Sequence, residues 1–227
     1  MRLSTALWAE RRLPALARLL RPSPVLPGED GPLGTVYGAG KSGPLLVLVG
    51  DPGAEPRWLG SALATALGGI PVVIPASDTP GDGIAAAVAA AGSLGADPER
   101  VAVLGAGEGA AAALGAAAAA GSGIRRLVLL APTSAPRAEL SSVPPTFLQS
   151  SPQSPTLSVS RALEIDLRES GVAVRPVEYT GLSDAWVRYP RFAKGSKRAV
   201  EDILAFLRRG FGMDGTFSGV IPGWDLR

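Results

Sequence analysis

The stretch VAVLGAGEGAAAAL, residues 101–114, combines a strand, a tight glycine-rich turn and a helix. Apolar and β-branched residues favour the strand, and the alanine-rich run after the turn favours the helix. A strand–turn–helix junction of this kind exposes the residue at its apex beside the free N–H groups of the helix N-terminus. Residue 107 lies at that apex and is glycine, so the turn carries no reactive side chain at the place where it would present one.

Three carboxylates could do acid–base chemistry near this turn. Glu108 follows the apex, while Asp51 and Asp184 follow other predicted strands. Ligands of parallel sheets bind at the carboxyl ends of the strands, so we expect these side chains to converge there. Two carboxylates can act as acid and base when their environments separate their pKa values. Alternatively, they are loop acids that cap helices or pair with Arg188 or Arg191.

The composition excludes several kinds of site. The chain has 227 residues, with no histidine and no cysteine. It therefore lacks an imidazole base, histidine or thiolate metal ligands, and disulfides. Serine hydrolysis by a Ser-His-Asp triad cannot run on this chain alone, and we predict neither a metal nor a cofactor. A net charge of +2 is too small to indicate a nucleic-acid partner.

Strands and helices alternate along most of the chain. Helices are predicted over 57–68, 83–95, 108–121, 157–170 and 195–210, and strands over 35–40, 44–50, 70–77, part of 96–105, 124–133, 144–151 and 172–181. The strands are apolar without alternation, which is typical of a parallel sheet covered on both faces. We therefore predict an α/β fold, a three-layer α/β/α sandwich with a mostly parallel sheet.

The two ends of the chain differ from this central domain, residues 35–210. Residues 1–34 combine an amphipathic helix with a Pro/Gly linker, and residues 211–227 form an apolar tail. We predict that the helix, residues 4–20, and the tail contact a protein partner or a second copy of the chain. The charged residues 10–12 interrupt any signal-peptide pattern, and no apolar run approaches the roughly 18 residues of a membrane span. We therefore expect a cytoplasmic location without a transmembrane segment.

Two glycine-rich stretches are compatible with nucleotide binding to different degrees. GTVYGAGKSG, residues 34–43, has Thr35 where a phosphate loop needs its first glycine, so we interpret it as an ordinary loop. GAGEGA, residues 105–110, matches the dinucleotide fingerprint G-x-G-x-x-A. The acid expected about 20 residues later is missing, and Glu108 would repel phosphates. Arg137 could compensate by binding a phosphorylated ribose, so a nucleotide-binding module remains an alternative.

The same turn resembles the nucleophile elbow, G-x-S-x-G, of the α/β-hydrolase fold. Gly105 and Gly109 match the two glycines of that motif, and Gly107 stands where the serine belongs. The approach to the turn, ADPERVAVLG at residues 96–105, is similar to that of esterases of the hormone-sensitive-lipase and dienelactone-hydrolase type. The resemblance implies an α/β-hydrolase-like domain whose nucleophile is absent.

Two later segments extend the resemblance. PPTFLQSSPQSPTLSVSRAL, residues 144–163, is similar to the strand and loop that carry the triad acid, which places that acid at Ser154. VEYTGLSDAW, residues 177–186, is similar to the segment that ends in the catalytic histidine, which falls at Asp184, with Trp186 just beyond it. With this alignment to the family, the positions of the nucleophile, the acid and the histidine hold Gly107, Ser154 and Asp184, none of which can take the corresponding role in a triad.

The oxyanion loop of the family is altered as well. LVGDPG, residues 48–53, corresponds to it, and Pro52 has no N–H to donate. The candidate pocket that the resemblance implies consists of Asp51, Pro52, Gly53, Gly107, Glu108, Ser154, Asp184 and Trp186.

Three functions follow from these observations. The resemblance implies a catalytically inactive hydrolase homologue, a binding, scaffold or regulatory subunit that has a protein partner or a small-molecule ligand at the former active site. The first alternative is an enzyme that uses carboxylates of the remodelled pocket for an isomerase, cyclase or lyase reaction. The second is the nucleotide-binding module.

Overall fold

The structure is a computed structural model that describes residues 23–24, 26–51, 55–135, 139–190, 193 and 195–213. Several predicted features lie outside the described residues. These are the N-terminal amphipathic helix, the part of the tail from residue 214 to residue 227, and the single residues Pro52, Gly53, Arg137 and Arg191. What the sequence predicts for them stays a prediction.

The described residues form alternating strands and helices. The strands are β1 (Glu29–Gly31), β2 (Gly34–Tyr37), β3 (Gly43–Val49), β4 (Val72–Ile74), β5 (Ala96–Ala106), β6 (Ile124–Leu130), β7 (Thr146–Ser150) and β8 (Val174–Glu178). The α-helices are α1 (Arg57–Ala66), α2 (Pro80–Ala89), α3 (Gly109–Ala118), α4 (Leu157–Glu169) and α5 (Ser196–Gly210). Short 3₁₀ helices occur at Gly92–Leu94, Leu140–Ser142 and Asp184–Val187.

These strands form one sheet in the order β1-β2-β4-β3-β5-β6-β7-β8. Strands β3 to β8 pair in parallel, and β1 and β2 are antiparallel additions at one edge. One apolar layer separates the sheet from α1 and α5, and a second separates it from α2, α3 and α4. This arrangement confirms the predicted three-layer sandwich, because strands buried on both faces need helices on both sides.

The differences from the predicted elements are local. Strand β1, residues 29–31, lies within the segment interpreted as a Pro/Gly linker, where it pairs with β2. Helix α2 begins at Pro80 rather than at residue 83, since proline is well suited to the first turn of a helix. It ends at Ala89, before the 3₁₀ turn that closes at Gly95 with φ +78°. Among the described residues, no helix has the length and apolar character needed to cross a membrane.

Helix α3 lies unusually close to the sheet. A Cβ atom added to Gly105 on β5 would approach the Cα of Ala110 and the Cβ of Ala113 to 2.6 and 2.7 Å. One added to Gly109 would come within 2.7 Å of the carbonyl oxygen of Val49. The small residues on both sides of the turn therefore allow α3 to pack directly against β3 and β5.

Candidate functional site

The turn between β5 and α3, residues 105–109, which we call the elbow turn, holds its apex at the carboxyl edge of the sheet. Gly107 adopts φ +61°, a left-handed conformation that favours glycine. Its N–H donates to the carbonyl oxygen of Leu130 at 2.9 Å, and its own carbonyl oxygen accepts from the N–H of Thr133 at 3.4 Å. The β6 strand and the residues after it thus fix the apex from the neighbouring side.

The carboxylate of Asp51 occupies the space above the apex. Val49, the last residue of β3, pairs with Gly105 on β5, so Asp51 and Gly107, each two positions further along the chain, follow the ends of neighbouring strands. A Cβ atom placed on Gly107 would lie only 2.0 Å from Oδ1 of Asp51. The same oxygen accepts a hydrogen bond from the N–H of Glu108 at 2.8 Å. Asp51 therefore stands where a side chain at position 107 would begin.

This meeting point is also a topological switch point. Helix α1 follows β3 on one face of the sheet, and α3 follows β5 on the opposite face. Neighbouring strands whose connections diverge in this way open a crevice at their carboxyl ends, where ligands of open α/β sheets bind. Here the carboxylate of Asp51 lies in this crevice, beside Gly107 and the N-terminus of α3, where an anion is favoured.

Ser154 and Asp184 form a second polar pair, in the segments that follow the neighbouring strands β7 and β8. Ser154 lies in the loop after β7, and its hydroxyl donates to Oδ2 of Asp184 at 2.5 Å. That hydroxyl oxygen accepts from the N–H of Thr156 at 3.0 Å and lies 2.8 Å from the Thr156 hydroxyl. The two positions that the resemblance assigns to the triad acid and histidine are thus in direct contact.

Two further residues, neither of which is evident from the sequence, hold these loops. Gln153 accepts from the hydroxyl of Ser151 at 3.1 Å and from the N–H of Gly181 at 3.0 Å, so it joins the loops after β7 and β8. Asp202 on α5 accepts from the hydroxyl of Tyr179 at 2.6 Å, at the end of β8. Burial and this hydrogen bond raise the pKa of Tyr179. Isolated polar residues in loops and helices give no periodic signal, so only the contacts reveal them.

The candidate residues line different spaces. Asp51 lines a cleft of about 480 Å³ at the carboxyl ends of β3 and β4, together with Glu55 and Asp78. Ser154 and Asp184 line a pocket of about 320 Å³ between the loops after β7 and β8. In the described part of the chain, no hydrogen bond joins Asp51 to Asp184.

Glu108 and Trp186 take other places. The side chain of Glu108 is exposed, and it is the backbone of this residue that contacts Asp51. Trp186 is 1% exposed and packs in the apolar layer beneath α5. Within the described residues its indole N–H has no hydrogen-bond partner. Among those residues there is also no group of three or more carboxylates that could hold a metal ion.

Comparison with known proteins identifies similar structures but no similar sequences. No protein-family model matches this sequence, and no curated protein matches it significantly. A fungal esterase structure from Rhizomucor miehei matches with a TM-score of 0.72 and 15% identity, covering 91% of this chain and 91% of that one.

Two further solved structures agree with it. A hyperthermophilic esterase from the archaeon Pyrobaculum calidifontis has a TM-score of 0.68 at 18% identity, over 91% of this chain and 90% of that one. An ester-hydrolase from the Lake Arreo metagenome has a TM-score of 0.70 at 18% identity, over 91% of each chain. Such identities carry information about architecture only. The chain has the α/β-hydrolase fold, which confirms the resemblance drawn from the elbow turn.

Asp184 makes stability depend on pH in an unusual direction. Burial raises the pKa of its carboxyl above the ordinary value, and the hydrogen bond from Ser154 partly offsets this. The folded state therefore binds the proton more tightly than the unfolded state, so stability falls as pH rises through the folded pKa. We expect Asp184→Asn to be as stable as the wild type near pH 3.5 and more stable near pH 7, by under about 1 kcal/mol because the group is partly solvated.

Urea unfolding of both proteins between about pH 3.5 and about pH 7 measures this difference. Asp166→Asn is the matched control, since it makes the same substitution at an exposed carboxylate on α4. A difference between Asp184→Asn and the wild type that stays constant over this range would contradict the expectation.

Proposed function

We propose that this chain is an α/β-hydrolase-fold protein without hydrolytic activity that acts as a binding, scaffold or regulatory subunit. The contact of Asp51 with the elbow turn carries the proposal. In acyl transfer, the N–H after the nucleophile helps to stabilise the oxyanion that forms in the transition state. The corresponding N–H, that of Glu108, is bound to a carboxylate of the same chain. A developing oxyanion would lose this donor and meet a like charge instead.

The pair of Ser154 and Asp184 does not replace the missing nucleophile. The hydroxyl of Ser154 donates to Asp184 and accepts from the N–H of Thr156. Its oxygen lone pairs are further engaged by the hydroxyl of Thr156, 2.8 Å away. A nucleophile needs a free lone pair aimed at a substrate, so these contacts support a role for Ser154 in orienting Asp184.

Carboxylate chemistry is the second candidate, favoured by one observation. Asp184 has a raised pKa and lines a pocket, which are properties of carboxyl groups in general acid–base catalysis. An isomerase, cyclase or lyase reaction of this kind would need a second group of different pKa in the same space. Asp51 lines the other cleft, so we rank this candidate after binding.

Nucleotide binding is less favoured by the geometry. A pyrophosphate at residues 105–110 would need the free N–H groups at the N-terminus of α3. The carboxylate of Asp51 already accepts from the N–H of Glu108, and it would repel the phosphates. The protein partners that we propose for the N-terminal helix and for the tail, residues 211–227, rest on the sequence alone, as does the cytoplasmic location.

The proposal is tested by offering the chain a substrate and a covalent probe. We expect the purified protein neither to hydrolyse p-nitrophenyl acetate above the buffer rate nor to be labelled by a fluorophosphonate. The variant Asp51→Ala frees the N–H of Glu108 but supplies no nucleophile, so it should remain unlabelled as well. Labelling of one serine in the native protein that disappears after denaturation would contradict the proposal.

A further inference from the structure

The pocket between the loops after β7 and β8 is lined by few groups. Gln153, Ser154 and Pro155 form one side, and residues 181–184 form the other, within a volume of about 320 Å³. This volume is at the lower end of the range for small-ligand sites. Pro155 and Leu182 supply apolar surface, and Asp184 is the one ionisable side chain among these lining residues.

Asp184 lacks a counter-ion in the described part of the chain, where no basic side chain forms an ion pair with it. Asp202 shows the contrast, because it accepts from Tyr179 and lies within 3.4 and 3.1 Å of the guanidinium groups of Arg175 and Arg198. Within the described residues, the carboxyl of Asp184 accepts one hydrogen bond, from Ser154 to Oδ2. A half-buried carboxylate that has lost part of its hydration is stabilised by a nearby cation, and no basic side chain among the described residues pairs with Asp184.

We propose that this pocket binds the ammonium group of a small primary amine, with Asp184 as its counter-ion and Ser154 as the residue that orients Asp184. The inference rests on the proposed binding function and names the class of ligand. The ammonium group donates hydrogen bonds to Oδ1, and a short alkyl chain contacts Pro155 and Leu182. A metal ion is a poorer occupant, since no cluster of three carboxylates that could ligate one occurs among the described residues.

The test compares n-butylammonium with n-butanol, a neutral probe of similar size and shape, by ligand-observed NMR titration against the full chain. We expect saturable binding of the amine and at least roughly tenfold weaker binding of the alcohol, which corresponds to the loss of a hydrogen-bonded charge pair. This comparison uses the wild type, so it does not depend on whether a variant folds.

Variants then assign the binding to Asp184. Asp184→Asn keeps an acceptor for Ser154 but removes the charge, so we expect it to weaken amine binding roughly tenfold. Asp78→Asn is the matched control, because Asp78 lines the other cleft, and its affinity should equal that of the wild type. The melting temperature of each variant verifies that it is folded.

Each result bears on the inference in a definite way. Equal affinity for the amine and the alcohol, or unchanged amine binding by folded Asp184→Asn, would overturn it. Amine binding without ester hydrolysis supports both this inference and the proposed function. Absence of amine binding in a protein that also fails to hydrolyse esters would refute the amine site alone, whereas hydrolysis together with amine binding would refute the proposed function alone.

Discussion

The Gly105→Ala variant is expected to lose about 3 kcal/mol of its free energy of unfolding, the upper part of the usual range for overpacking a core. The added Cβ would lie 2.6 Å from both the Cα of Ala110 and the carbonyl oxygen of Gly109. Both are backbone atoms of the elbow turn and α3, so no side-chain rotation relieves the contact. The helix would have to move away from β5, which opens the packing of the whole layer.

Equilibrium urea unfolding measures the effect, and Gly115→Ala is the matched control. Gly115 lies in the interior of the same helix, and a Cβ atom there would meet no atom within 4 Å. Alanine has the higher helix propensity, so this variant should gain about 0.5 to 1 kcal/mol. If Gly105→Ala were as stable as the wild type, α3 would not lie as close to the sheet as the structure has it.

Rebuilding the triad is expected to create a reactive serine at position 107. The fourfold variant combines Gly107→Ser and Asp51→Ala with Ser154→Asp and Asp184→His. The first pair installs a nucleophile and removes the carboxylate that occupies its space, 2.0 Å from the position of the new Cβ. The second pair uses two positions whose side chains already meet at 2.5 Å, so an acid and a histidine there can form a hydrogen bond.

The measurement is the rate of labelling by a fluorophosphonate. We expect labelling about 100-fold faster than in the threefold variant that lacks Asp184→His, because a general base contributes at least this factor. The threefold variant is the control, since it has the same new serine and the same cleared space. A folded fourfold variant that reacts no faster would show that positions 107, 154 and 184 do not form a triad, and the register drawn from the family resemblance would be wrong.

The fold was predictable from the sequence because its signals are local. The short apolar run at residues 44–50 is typical of a strand buried on both faces. The apolar residues of 195–210 recur with the period of a helix, so one face of that helix is buried. The elbow turn was recognisable for the same reason, since Gly105 and Gly109 are spaced as in the family motif. Both lack a side chain where α3 packs closely against β5 and β3. The element boundaries moved by a few residues where turns and prolines compete with the pattern.

The candidate site was predictable only in part. From the sequence, we expected the carboxylates of Asp51, Glu108 and Asp184 to converge at the carboxyl edge of the sheet. The structure brings Asp51 to the backbone N–H of Glu108, leaves the Glu108 side chain exposed, and pairs Asp184 with Ser154. Which atoms meet depends on the register of β3 against β5 and of β7 against β8. That register is set by pairing between segments far apart in the chain, so no local pattern reports it.

By itself, the sequence determined that this protein is an α/β sandwich and that it lacks histidine and a nucleophile at residue 107. Both properties follow from residue types and short spacings. Only the tertiary structure decided that Asp51 fills the space above Gly107 and that Asp184 lines a pocket without a counter-ion among the described residues. Those facts depend on how distant loops pack, since burial and partners are properties of the assembled fold and not of any one segment.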